Sequence, residues 1–290
     1  MDIPMHKYEA ESALSASIYP PRRLVTVHAG AAAVLSLILT AVSWFLSSRT
    51  GAGGIGGLGA QAALSTAQTA LQLVATLITP FWSAGLVYCA LKLARKQAAD
   101  PDSLLEGFRR WRPLLSSMLL MGFRYLTTGF IAAYLASALA MILQAMSEAL
   151  FMAIFFGVFA VLATPLFFRW RLVHYIIMDE PETGGLKAMF MSRAMMEGRK
   201  LELFRLDLSF WWFYVLEFLT VAIGSAGAFM TDAMAFWGVT LLSLAGQFAL
   251  YVWAKPKLAV TYALAYETLR QPPAPKAEAP QPAKPHPWNY

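Results

Sequence analysis

Charge is scarce in this chain. Asp, Glu, Lys and Arg together make up 14% of its 290 residues, against about 25% in an average soluble protein. With 58% of residues apolar and a mean hydropathy of +0.52, there is too little polar surface to cover a water-soluble globule. Soluble globular, disordered and collagen-like classes are excluded, and an integral membrane protein remains. Cysteine is scarcer still. Cys89 is the only one, so no internal disulfide exists, and in its apolar run it reads as a small filler. Catalytic signatures are missing as well. No H-E-x-x-H, Walker A or G-x-S-x-G occurs, and His6, His28, His174 and His286 are scattered, so neither a metal nor a cofactor is expected. Gly51 to Gly56 matches G-x-G-x-x-G by letter, but no strand precedes it, and it reads as a flexible linker.

What the chain has is long apolar runs. A spanning helix needs about 20 predominantly apolar residues, and six stretches qualify: 24–46, 62–91, 114–146, 149–168, 208–230 and 235–254. The expected fold is all-α, a polytopic membrane protein of six transmembrane helices with cytoplasmic amphipathic interfacial helices. Residues 1–23 form a cytoplasmic N-terminal segment, 24–270 the membrane domain and 271–290 a disordered Pro-rich tail. The tail has PxxP spacings such as Pro272 to Pro275, a pattern that docks partners elsewhere. The first stretch is longer than a signal-peptide core and follows Arg22 and Arg23, as a retained signal anchor does.

Orientation follows from the distribution of Lys and Arg. Alternate segments, starting with the N-terminus, hold 21 of them in total, and the intervening segments hold 1. Both termini and the two long loops are therefore expected in the cytoplasm. The net charge of +6 is then a topology signal, and no nucleic-acid partner is implied. The basic loops are expected to meet anionic lipid headgroups.

The basic loops share a design. KLARK leads through ADPDS into LLEGFRRWRPLL, RWR leads through DEPET into LKAMFMSRAMMEGRKLELF, and the sixth span runs into KPKLAVTYALAYETLR. Each reads as a helical hairpin followed by an interfacial helix, with Asp100, Asp102, Ser103, Asp179 and Thr183 supplying turn and cap chemistry. Within the spans only Arg124 and Glu217 are charged. Each lies about 15 Å from the cytoplasmic end of its span, and at roughly 2.5–3.5 kcal/mol apiece each demands a partner or a cavity. Equal depth and opposite sign predict an Arg124–Glu217 ion pair. Gln68, Gln72 and Gln247 are expected to hydrogen-bond between helices. Ala132, Ala136 and Ala140 form a small-residue stripe for close packing, and Pro80 and Pro165 free backbone carbonyls.

One stretch carries a resemblance. Ser192, Met196, Gly198 and Lys200 lead into Phe204 and then Asp207, Leu208, Ser209 and Phe210. Upstream are Tyr175, Asp179 and Pro181; downstream are Pro256 and Tyr266. The pattern resembles the bacterial membrane-protein family called domain of unknown function 975, with its specific motifs in residues 169–270. Arg199, Leu201, Trp212 and Phe213 depart from that pattern. The resemblance implies a polytopic membrane protein and no particular activity. On physical grounds Gly198 breaks a helix near 186–197 from the segment entering the fifth span. Asp207 is expected at the N-terminus of that span, where the helix dipole favours a carboxylate. Ser209 is placed to back-bond within its helix or to face a neighbour.

The functional expectation is a non-enzymatic scaffold or accessory protein of the cell envelope, touching lipids, other membrane proteins or a second copy of itself. A small transporter using the Arg124–Glu217 region is the alternative, and a lipid-modifying enzyme a weaker one.

Overall fold

The computed structural model describes residues 2–16, 21–51, 58–142, 147–227, 230 and 232–270, which form helices and connecting turns with no strand among them. Helices α1 (Ile3–Ala16), α2 (Pro21–Gly51) and α3 (Leu58–Ala94) precede a 3-10 turn (Pro101–Leu105) and the short α4 (Glu106–Arg109). Then come α5 (Trp111–Ile142), α6 (Glu148–Trp170), α7 (Val173–Asp179), α8 (Gly185–Met196), α9 (Lys200–Ser209), α10 (Trp211–Ala226) and α11 (Ala233–Arg270).

The protein is membrane-embedded. Five helical stretches are long and apolar enough to cross a bilayer, and α9 with α10 makes a sixth if that pair, bent by 62°, is one broken span. The bend corrects the expectation of a straight fifth span over 208–230. Alone, α10 has 16 residues, about 24 Å at 1.5 Å each, short of the roughly 30 Å hydrocarbon core. The break falls at Phe210, which leaves helical geometry and buries its ring beside Tyr262 at 6.4 Å. Asp207 therefore lies in the last turn of α9, not at the N-terminus of a span. The dipole opposes its charge there, and ion pairing holds it instead.

The buried core sits at the Lys/Arg-rich end. Leu172, Val173, Ile176 and Ile177 pack with Leu203, Leu206 and the last turns of α11, whereas the spans expose large residues such as Leu119, Phe123, Phe130 and Phe218. Burial stabilises where water is the alternative; lipid tails are as apolar as the side chains they replace. The spans associate through small residues instead. Ala132, Ala136 and Ala140 are buried as expected, on a helix packed against α6. A Cβ on Gly85 would fall 1.8 Å from the Leu104 carbonyl oxygen, and one on Gly107 would fall 2.0 Å from that of Phe81. Only glycine allows the 3-10 turn and α4 to lie on α3.

The N-terminal segment contains a helix, α1, which packs against α11 and fully buries Ala10. One further segment differs from expectation. The piece after the sixth span is not a separate interfacial helix. α11 runs unbroken from 233 to 270 through Pro256, and most of its last fifteen residues are buried. The three basic segments thus fold in three different ways. Pro272–Pro275, most of the 51–56 glycine motif and the Gln68 and Gln72 side chains lie outside the described residues.

Candidate functional site

The chemistry-bearing side chains gather at the Lys/Arg-rich end in two networks. Asp179 closes α7, and its side chain is only 4% exposed. Its Oδ1 pairs with Arg95 at 2.6 Å, and its Oδ2 pairs with Arg270 at 2.8 Å and accepts from the Tyr266 hydroxyl at 3.1 Å. Arg95 also donates to Glu267 through Nε at 2.7 Å. Burial works against the Arg95 charge, but the bonds to Asp179 and Glu267 outweigh it and raise its pKa. Tyr266 stacks on Tyr175 at 5.6 Å. Arg110 donates to the carbonyls of Ile177 and Met178 at 3.0 and 2.6 Å, satisfying the end of α7. The expected turn role of Asp179 is thus a tie between α3, α7 and α11.

The second network surrounds Asp207. Arg171, at the junction of α6 and α7, pairs with Asp207 at 3.0 Å, and the same nitrogen reaches the Tyr214 hydroxyl at 3.4 Å. The Tyr262 hydroxyl donates to Asp207 and lies 3.0 Å from that of Tyr214. The guanidinium also sits over the Phe167 and Tyr262 rings, 4.7 and 5.1 Å from their centroids. Ser192 bridges the α6–α7 break, donating to the Arg169 carbonyl at 2.8 Å and accepting from the Leu172 N–H at 3.3 Å. From α1, Lys7 donates to the Ser209 carbonyl at 3.0 Å and lies over Phe210. Burial, then the Lys257 charge, lower its pKa. Lys257 itself pairs with Glu11, and His6 meets the Thr268 hydroxyl at 2.9 Å.

Beside the second network lies a cavity of about 760 Å³ walled by α2, α3, α11 and the α6–α7 junction. Its polar wall holds Arg171, His174, Lys255, His28, Gln247 and Tyr251, and no carboxylate lines it among the described residues.

The resemblance residues separate into groups. Tyr175, Asp179 and Tyr266 join the first network, and Asp207 anchors the second. Gly198 has φ of +75°, the left-handed conformation glycine tolerates, between α8 and α9. Met196 and Pro256 are buried, and Phe204 packs on Phe168 at 6.2 Å. Ser209 back-bonds to the Leu206 carbonyl at 2.7 Å, as expected. Pro181 and Leu208 are exposed, and Lys200, half-buried, opens α9.

The Arg124–Glu217 ion pair is not formed. Glu217 accepts from the Tyr251 hydroxyl of α11 at 2.7 Å. Arg124 is exposed on α5, which packs against α6 and α8, while α10 packs against α11. Equal depth fixes one coordinate, and the azimuth around the bundle separates the two charges. Sequence reasoning also gave no role to Arg95, Arg171, Tyr214, Tyr262 and Arg270. The available signal was the four-residue spacing of Tyr262, Tyr266 and Arg270, which puts all three on one face of α11.

No curated protein and no solved structure matches the chain. The family described as "Protein of unknown function (DUF975)" matches residues 22–272, a span that takes in all the membrane helices and both networks. This chain belongs to the DUF975 family.

Proposed function

We propose that this is a non-enzymatic scaffold or accessory protein of a bacterial cytoplasmic membrane. Its Lys/Arg-rich end faces the cytoplasm and the anionic headgroups there, and its spans contact another membrane protein. The observation that carries this reading is Arg124. It sits about 15 Å into the span, exposed, and forms no ion pair among the described residues. A cation at that depth costs roughly 2.5–3.5 kcal/mol without a partner, and the described residues supply none, so the reading takes the partner from outside. The titratable groups at the basic end support a holding role. Asp179, Asp207, Arg95 and Arg171 are spent on one another, tying helices together.

Photo-crosslinkers placed at Phe123 and Leu120, both exposed, test the reading in native membranes. Discrete protein adducts that disappear in Arg124→Leu are expected. Lipid adducts alone, unchanged by Arg124→Leu, would count against it, as would turnover of a membrane lipid by the purified protein.

A second reading, a small transporter, draws on the cavity, because Tyr251 in its wall holds the Glu217 carboxylate. Solute uptake into proteoliposomes that is lost in Glu217→Gln would favour it over the scaffold.

A further inference from the structure

We propose that the cavity between α2, α3 and α11 is a binding site for one anionic phospholipid. Its phosphate would sit at Lys255 and Arg171, with an acyl chain running between the helices toward the bilayer centre. The site is separate from the Arg124 surface and stands on different observations.

The cavity is polar at one end and apolar along its length. From His28 the α2 wall continues to Leu39, and from Lys255 the α11 wall runs back to Leu244. Each wall covers twelve residues, about 16 Å of helix from first to last. The apolar part is lined by Leu35, Leu39, Ile78 and Leu244. A slot this long with a polar mouth fits an amphiphile better than a compact polar solute.

The mouth fixes the sign of the head. Lys255 lies over the Tyr251 and Phe213 rings, 4.9 and 5.6 Å from their centroids, and forms no ion pair among the described residues. Arg171 pairs with Asp207 through a single nitrogen, and a guanidinium has further N–H donors for a phosphate. His28 is 93% buried by its 7% exposure, and its Nδ1 has no hydrogen-bond partner. Its ring is held in place by stacking on Trp82 at 5.3 Å. The lining includes Lys255 and Arg171 and no carboxylate among the described residues, while Asp207 and Glu217 sit behind Arg171 and Tyr251, so cationic donors rather than carboxylate oxygens face the slot. The volume of about 760 Å³ falls within the usual range for ligand sites, roughly 300–1,000 Å³.

Native mass spectrometry of the full chain in mild detergent tests this, with phosphatidylglycerol and phosphatidylcholine of matched chains and with palmitate as probes. One phosphatidylglycerol should be retained about tenfold more tightly than phosphatidylcholine. Lys255→Gln should remove that preference and Lys255→Arg should keep it, which separates lost charge from lost fold. Ala32→Phe, which fills the slot without touching the cations, should weaken retention. Lys187→Gln, on exposed α8, should change nothing. Equal retention of both phospholipids, a preference that survives Lys255→Gln, or preferential retention of palmitate would each overturn the proposal.

Discussion

Asp179 shows how a single carboxylate comes to organise one end of this molecule. It is buried at the end of α7, where the dipole does not favour it, and three groups from two other segments converge on it. Its partners are not equivalent. Arg270 is 46% exposed, so water and salt screen that pair and its loss should cost under about 1 kcal/mol. Asp179→Ala would leave Arg95 only Glu267 and would leave the Tyr266 hydroxyl without its acceptor, a loss of about 1–3 kcal/mol. Thermal unfolding in detergent should therefore show a large drop in Tm for Asp179→Ala and a small one for Arg270→Ala. Equal drops would mean that Arg95 does not carry the tie.

At the scale of elements, the tightest constraint is the crossing of α4 and the 3-10 turn over α3. Gly107→Ala drives a methyl into the Phe81 carbonyl, and backbone has no flexible end to yield. Overpacking of this kind costs about 1–3 kcal/mol or more. At Gly122, in α5, an alanine methyl would meet nothing within 4 Å, so Gly122→Ala should gain about 0.5–1 kcal/mol from helix propensity. The same single methyl thus has opposite signs at two helical glycines, which differential unfolding of the pair would read. The contrast also marks what the sequence made legible. Continuous apolar runs identify helices and their number closely, and Ser209 and Gly198 acted as local chemistry predicts. Close approach of Gly85 to Leu104 is a tertiary fact with no local signature. The same holds for Glu217, which met Tyr251 on the neighbouring helix rather than Arg124. The bend at Phe210 has no local signal either, because Leu208, Phe210 and Trp211 form one apolar run.

For the whole molecule, the basic segments that alternate along the chain converge at one end. α1, the residues after α3, the α7–α9 segment and the end of α11 are joined there by Lys7–Ser209, Arg95–Asp179 and Arg95–Glu267. Because these segments are bonded to one another, they lie on one side of the membrane together, and a single labelled position reports for all of them. Positive charge is retained on the cytoplasmic side during insertion, which is the basis for the proposed cytoplasmic position of that end. In a Cys89→Ala background, Glu182→Cys in the α7–α8 turn should react with a membrane-impermeant maleimide only after the cells are opened. Glu148→Cys, exposed at the start of α6 and so at the opposite end of the bundle, should react in intact cells. The reversed pattern would place the basic end outside. It would also take the polar mouth of the cavity away from the cytoplasmic leaflet, so the same two cysteines decide which leaflet supplies a lipid to Lys255 and Arg171.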